Sequence, residues 1–402
     1  MVHYPRNAPI PYWLRLRDRY FSMARLRKLS VPKIAVSVTV AMIFAAFYAV
    51  AIYPKINHEY YEKKQQENFA RMQLSKEGRA NALSTLAAFK KMSEKDEKVV
   101  KNEEEEELVK LEDFPEDSKS LDLTHTRQKT IRGFERFTQL NSLELRWNLI
   151  KKIENLSPLA ATLTELDLYD NQIEKIENLE ELVNLRSLDL SFNRIRVIEG
   201  LNNLIHLNTL YLTHNKLRKI EGLQCLTELN LLELGDNKIC KIENLDSNVE
   251  LRSLYIGANH IERMENIGHL VKLEILCIPA NGISVIEDLD ALANLRQLSL
   301  SQNPIKEIGD SLRHNDQLEL LDLDQCQLKH IIGVSHLHKL TDLYLKNNEL
   351  ENWSEIDQLG KLPALNSIYL SGNPFSQGST YRRNAIESLP QVKEIDGVFC
   401  RK

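Results

Sequence analysis

The chain has 402 residues, 43% hydrophobic and 27% charged, which is apolar material enough for a folded core over most of its length. Fourteen Gly and 12 Pro argue against a collagenous or largely disordered protein. Five scattered Cys with no CxxC pair argue against a disulfide scaffold or a Cys-based zinc module. The net charge of −5 is uneven: eight Lys/Arg against Asp18 leave about +7 on residues 1–33 and about −12 on the remainder.

Residues 1–33 form a basic segment carrying Arg6, Arg15, Arg17, Arg19, Arg25, Arg27, Lys28 and Lys33. Ile34–Tyr53 follows, 20 residues without a charge, bounded by Lys33 and Lys55. A helix of that length measures about 30 Å, the thickness of a bilayer core, so residues 34–53 read as a transmembrane helix. The flank after it mixes Glu59, Glu62 and Glu67 with Lys63 and Lys64. The positive-inside rule then keeps the N-terminus on the inner side and sends the C-terminal bulk across. An Arg-rich, acid-poor start also fits a mitochondrial address. Phe47–Gln66 resembles a small single-span mitochondrial inner-membrane protein of cytochrome oxidase assembly. Residues 54–117 read as a linker with a weak helix over Ala80–Lys91. From Glu94 to Asp117 it holds 12 Asp/Glu against four Lys, including the unbroken Glu103–Glu107. Such a block repels itself and stays solvated; it is not read as a site.

From Leu121 the sequence repeats the pattern L-x-x-L-x-L-x-x-N-x-I-x-x-I-x-x-L. Its key slot holds Asn148, Asn171, Asn193, Asn215, Asn237, Asn259, Asn281, Asn303, Cys326, Asn348 and Asn373, with Thr126 in a degenerate first copy. Nearly every spacing is 22 or 23 residues, the signature of leucine-rich repeats. The expected fold is an α/β solenoid: a leucine-rich-repeat horseshoe of about 12 repeats over residues 118–372, beside the single N-terminal hydrophobic helix. In Leu166-x-Leu168 both leucines point to one side of a short strand, so parallel neighbours stack them into a continuous core. The Asn turns the chain out of the strand, and its buried amide needs backbone partners in adjacent turns. Cys326 reads as a tolerated structural substitute. The second half of each repeat, as in Ile173-x-x-Ile176-x-x-Leu179, returns on the convex side as a short helical turn, marked by recurring Ile-Glu-Asn or Ile-Glu-Gly. Open ends need caps. Residues 373–402 supply one, with Ser379–Leu389 as an amphipathic helix turning Tyr381, Ile386 and Leu389 inward; Leu108–Phe114 and the degenerate copy supply the other.

Function is expected on the concave sheet. The strand position between the two core leucines, four residues before the Asn, reads Glu144, Asp167, Asp189, Tyr211, Glu233, Tyr255, Cys277, Ser299, Asp322, Tyr344 and Tyr369. Two positions earlier stand Leu231, Ile275, Leu320 and Asp342. Tyrosines give large contact area at small entropic cost, and carboxylates favour a basic protein surface while repelling nucleic acid. No P-loop, dinucleotide fingerprint, His-Glu-x-x-His or nucleophile elbow is present. His336-x-His338 near His330 has no carboxylate or Cys at ligand spacing and reads as surface histidines, so neither metal nor cofactor is expected. Acids such as Asp322 and Asp342 lie on an open face, where no raised pKa is expected. The chain reads as a non-enzyme.

The 22-residue period, the Ile-Glu-Asn/Gly turns, LDLYDNQIEKIENLE (Leu166–Glu180) and YRRNAIESLPQVKEIDG near the C-terminus together resemble the leucine-rich-repeat regulatory subunits of protein phosphatase 1, over residues 115–402. The resemblance implies a non-catalytic subunit that grips the phosphatase catalytic subunit with its concave face and controls its activity or maturation. It implies a nuclear and cytoplasmic location, and a further phosphatase inhibitor subunit as an additional partner. The implied contacts are Asp189, Tyr211, Glu233, Tyr255, Asp322, Asp342, Tyr344 and Tyr369. Asp189, Glu233, Asp322 and Tyr369 match the family's residue types. Tyr211 and Tyr255 stand where the family has Phe, Asp342 replaces Glu, and Tyr344 occupies a Trp position. No basic-x-Val-x-Phe docking peptide is present, which leaves the folded surface to bind. The alternative is a membrane-tethered adaptor showing the same repeats to another protein. The membrane-like start and the phosphatase-like repeats disagree about compartment, the pattern expected of a small membrane protein joined to a complete regulator.

Overall fold

A computed structural model of the chain describes residues 111–400. The basic segment 1–33, the run 34–53 and the linker up to residue 110 lie outside the described residues. Among the described residues, no helix is long and apolar enough to cross a membrane.

Strands β1 (Ser120–Asp122), β2 (Ser142–Glu144), β3 (Glu165–Asp167), β4 (Ser187–Asp189), β5 (Thr209–Tyr211) and β6 (Leu231–Glu233) open one sheet. It continues through β7 (Ser253–Tyr255), β8 (Ile275–Cys277), β9 (Gln297–Ser299), β10 (Leu320–Asp322), β11 (Asp342–Tyr344) and β12 (Ser367–Tyr369). These pair in parallel and in sequence order; β13 (Glu394–Ile395) extends the order, and β14 (Val398–Phe399) folds back antiparallel. The register places leucine beside leucine, as in Leu166↔Leu188 and Leu188↔Leu210. Each repeat buries one set of apolar side chains behind the sheet: Leu163, Leu166, Leu168, Ile173, Ile176, Leu179 and Leu182 in one turn, all essentially inaccessible. At roughly 2 kcal/mol for each buried aliphatic side chain, adjacent turns hold one another.

The buried asparagines fix the path. Asn237 Nδ2 donates to the carbonyls of Leu212 (2.9 Å), Leu234 (3.1 Å) and Gly235 (3.1 Å), while its Oδ1 accepts from the Leu217 amide (3.0 Å). The same set recurs at Asn193, Asn215 and Asn259. Each amide therefore bonds both its own turn and the preceding one. Cys326 keeps the slot with Sγ 3.5 Å from the Leu300 carbonyl and a thiol pushed up to about 12 by burial, an unreactive group.

The Ile-Glu-Asn/Gly motif has a backbone cause. Its third residue lies in the left-handed region: φ is 58° at Asn178, 70° at Gly200 and 59° at Asn244. Asn178 and Asn244 use their Nδ2 to reach the carbonyls of Ile153 and Ile220, both at 2.7 Å. At Gly200 a Cβ would sit 2.8 Å from the Ile176 oxygen, so that turn closes tighter and takes no side chain. The return path is the expected short helical turn. Between β3 and β11 it carries no regular helix, only single turns such as Leu182 N to Leu179 O and Leu185 N to Leu182 O. A repeat of about 22 residues leaves too short a return for a helix beyond one turn. The repeat before β12 has more chain and forms α1 (Trp353–Asp357), followed by a 3-10 turn at Gln358–Lys361.

Both ends are covered. Leu111 and Phe114 pack on the first turns, and Arg136 Nη2 donates to the Phe114 carbonyl (3.2 Å). At the other end, α2 (Tyr381–Ser388) buries Ala385 and sets Tyr381 and Ile386 against the core, with Leu389 buried just after it. Tyr381 donates its hydroxyl to Asp396, and Arg382 donates to the carbonyls of Ile395, Val398 and Phe399.

Asn237→Ala removes four hydrogen bonds in a buried site and strands their partners. The expected loss is on the order of 3 kcal/mol, read as a lower urea midpoint. A loss below about 1 kcal/mol would deny the amide its structural role.

Candidate functional site

The parallel register carries Asp189, Tyr211, Glu233, Tyr255, Cys277, Ser299, Asp322, Tyr344 and Tyr369 into one row, each beside the next. Asp342 lies beside Leu320 and Ser367, two positions earlier on the same strand face. All eight residues singled out in the sequence thus share one sheet face. The row extends backwards through Asp167 and Glu144 to Asp122.

That row is less open than the sequence suggests. Asp189 is 9% exposed, Tyr344 6% and Tyr369 7%. Strands about 4.8 Å apart bring each side chain against its neighbours on both sides. Tyr344 and Tyr369 stack with ring centroids 4.9 Å apart, and the Tyr369 hydroxyl donates to Glu394 (3.1 Å). Tyr211, Glu233, Tyr255 and Asp322 remain half-buried.

This crowding overturns the expectation of ordinary carboxylates. Burial pushes Asp189 up to about 7, with Asp167 repelling its charge and the Ser191 amide (2.8 Å) opposing the shift. Glu233 is raised by burial. Asp322 is raised by burial even though Ser299 donates to it at 2.7 Å. Neighbouring Asp324, which the sequence reading passed over, rises to about 8 from burial and the adjacent Asp322. The Tyr211 phenol is pushed up to about 12 by burial, and the Cys277 thiol likewise, so neither is a nucleophile near neutral pH.

A second column escaped the sequence reading. His125, Trp147, Tyr169, Phe192 and His214 lie at the strand exits, one or two residues before the repeat Asn. His125 stacks on Trp147 (4.4 Å), Trp147 meets Tyr169 edge-on (6.0 Å), Tyr169 lies 4.9 Å from Phe192, and Phe192 stacks on His214 (4.5 Å). Trp147, Phe192 and His214 hold φ of 53–56°, a left-handed backbone that aims their side chains along the rim. His214 Nδ1 lies 2.6 Å from Asp236. Reading the residues just before each Asn, as well as the mid-strand position, would have found this column. Two of the three histidines weighed for a metal have other contacts: His330 lies beside Glu355 (3.1 Å), and His336 Nε2 donates to the Leu312 carbonyl (2.8 Å).

Asp189 has a folded-state pKa above its unfolded value. The native state therefore holds the extra proton, and stability falls as pH rises from about 4 to about 7. Asp189→Asn removes that dependence. Its stability relative to wild type is expected to improve by about 3 kcal/mol between pH 4.5 and pH 8, in urea titrations. Parallel pH curves for the two proteins would refute the buried proton.

Among known proteins, the family profile described as Leucine Rich repeats (2 copies) matches residues 161–203 and 183–224. Over 52 residues the chain is 46% identical to protein phosphatase 1 regulatory subunit 7 of Xenopus tropicalis, 13% of this chain and 15% of that protein. Over 90 residues it is 31% identical to leucine-rich repeat-containing protein 51 of Bos taurus, 22% of this chain and 47% of that one. Both alignments therefore span less than half of the relative. The crystal structure of an internalin from Listeria monocytogenes superposes with a TM-score of 0.57 and 27% identity, covering 71% of this chain and 87% of that one. Repeat, register and buried Asn ladder agree with these likenesses: the described residues are a leucine-rich-repeat solenoid.

Proposed function

We propose that this chain is a non-catalytic regulatory subunit that holds the catalytic subunit of protein phosphatase 1 on its exposed sheet face and controls its activity or maturation. The observation that carries the reading is the in-register row from Asp189 to Tyr369, where carboxylates and tyrosines alternate from Asp189 to Tyr255 and return after Cys277 and Ser299 as Asp322, Tyr344 and Tyr369. Similarity to relatives named as regulatory subunits of that phosphatase supports the choice of partner.

The physical basis is differential. Glu233 and Asp322 are already partly desolvated, so a partner covering them adds little further desolvation. A Lys or Arg brought against them favours their charged forms and opposes the upward shift that burial imposes. Tyr211 and Tyr255 offer the half-buried aromatic surface beside them. Tyr344 and Tyr369 act as a stacked pair with little free surface, supporting the shape of the face. In this reading the repeats work in the nucleus and cytoplasm, and a phosphatase inhibitor subunit joins the complex. The uncharged run 34–53 favours a second reading, a membrane-tethered adaptor that displays the same face to another protein.

Calorimetric titration of the full chain with the phosphatase catalytic subunit tests the first reading. Tight binding is expected, weakened at least about tenfold, or 1.4 kcal/mol, in a Glu233→Ala/Tyr255→Ala variant. Absence of binding by folded wild type removes the phosphatase and leaves the tethered adaptor. Equal binding by the variant moves the contact off this face.

A further inference from the structure

The row described above does not absorb the chemistry of the first four repeats. There, two columns run side by side. Asp122, Glu144, Asp167 and Asp189 stack in register on β1 to β4. Beside them, past the strand ends, runs the ring column, with Tyr169 two residues after Asp167 and between Trp147 and Phe192. Trp147 is 43% exposed, an unusual position for the largest side chain.

The columns jointly create a specific environment: a carboxylate next to an aromatic ring, repeated at the strand spacing. The chain itself shows which group that environment accepts. The Arg146 guanidinium is ion-paired with Asp167 and lies 5.5 Å from the centre of the Tyr169 ring. A planar, always-charged guanidinium is suited to both contacts at once, whereas an ammonium offers a point charge and no flat face. Four stacked carboxylates share this one internal arginine. Repulsion from Asp122 and Asp167 adds to burial in raising Glu144, so unneutralised negative charge is concentrated at that end.

We propose that the first four repeats carry a second docking surface, formed by Asp122, Glu144 and Asp167 with Trp147, Tyr169 and Phe192, for an extended arginine-rich segment of a partner protein. An extended segment advances two residues in about 6.6 Å, so alternate side chains face the same surface. Its guanidiniums would reach carboxylates and rings in nearby turns, with the peptide crossing the strands. The surface is separate from the proposed phosphatase contacts at Glu233 and Tyr255, so either assignment can fail alone.

The test is fluorescence anisotropy of a labelled (Arg-Ala)5 peptide with the full chain, beside a (Glu-Ala)5 control. Saturable binding of the arginine peptide alone is expected. Glu144→Gln and Trp147→Ala should each weaken it at least tenfold, with circular dichroism unchanged. Glu144→Gln alters charge with little change in volume, so it remains informative if Trp147→Ala is unstable. Glu233→Ala/Tyr255→Ala should bind the peptide as wild type does. Unweakened binding by Glu144→Gln would assign the peptide to another acidic part of the chain, such as Glu103–Glu107, and overturn the proposal. Comparable binding of the acidic peptide, or no binding at all, would also overturn it.

Discussion

The rest of the structure depends on one side-chain amide in each turn. The repeat Asn is buried where the strand ends, and it satisfies carbonyls of two successive turns and an amide of the preceding turn's loop. A donor that must reach two turns at once permits very little slip between them. Register follows from that constraint, and the functional columns follow from register. A one-residue shift at β5 would turn Leu210 outward and Tyr211 into the core. The leucines provide most of the stabilisation but are poor at choosing a register, because neighbouring leucines are interchangeable. The amides make the choice.

Parallel stacking has a second consequence, on the exposed face. Equivalent side chains in successive repeats lie about one strand spacing apart, so like meets like wherever the sequence repeats a residue type. Asp167 and Asp189 repel across β3 and β4, and desolvation adds to the repulsion. The chain moderates this in different ways along the sheet. Arg146 pairs with Asp167, Ser299 donates to Asp322, and the Lys346 amide donates to Asp324 at 2.6 Å. The remaining tension makes these carboxylates responsive to a cation that arrives from outside.

Fold class, repeat length and the row of face residues were legible because each depends on periodicity. A period of 22 or 23 residues and an alternation of two survive in the letters of Leu166-x-Leu168 and Asn171. What was not legible depends on crowding and on backbone sign. Nothing in the letters of Tyr344 and Tyr369 shows that their rings stack and bury each other. The ring column was hidden because Trp147, Phe192 and His214 occupy a left-handed position that residue propensity assigns to Gly or Asn. The short convex turns, by contrast, were legible: the Ile-x-x-Ile spacing marks a helical turn, and the available chain closes after a single one.

The two ends of the face have distinct physical characters on one repeated scaffold. Near β10 to β12 the polar groups already bond within the chain: Asp322 with Ser299, Tyr369 with Glu394, and Asp396 with the Leu370 and Ser371 amides. A partner there meets a rigid shape. Near β1 to β4 charge is in excess of its internal partners, so long-range attraction is stronger and more sensitive to salt. A solenoid permits such division because each repeat contacts mainly its neighbours. Face residues can change in one region without disturbing the amide ladder or the core of another. The fold thus constrains where side chains point far more than which side chains they are, and the partner is selected by the columns.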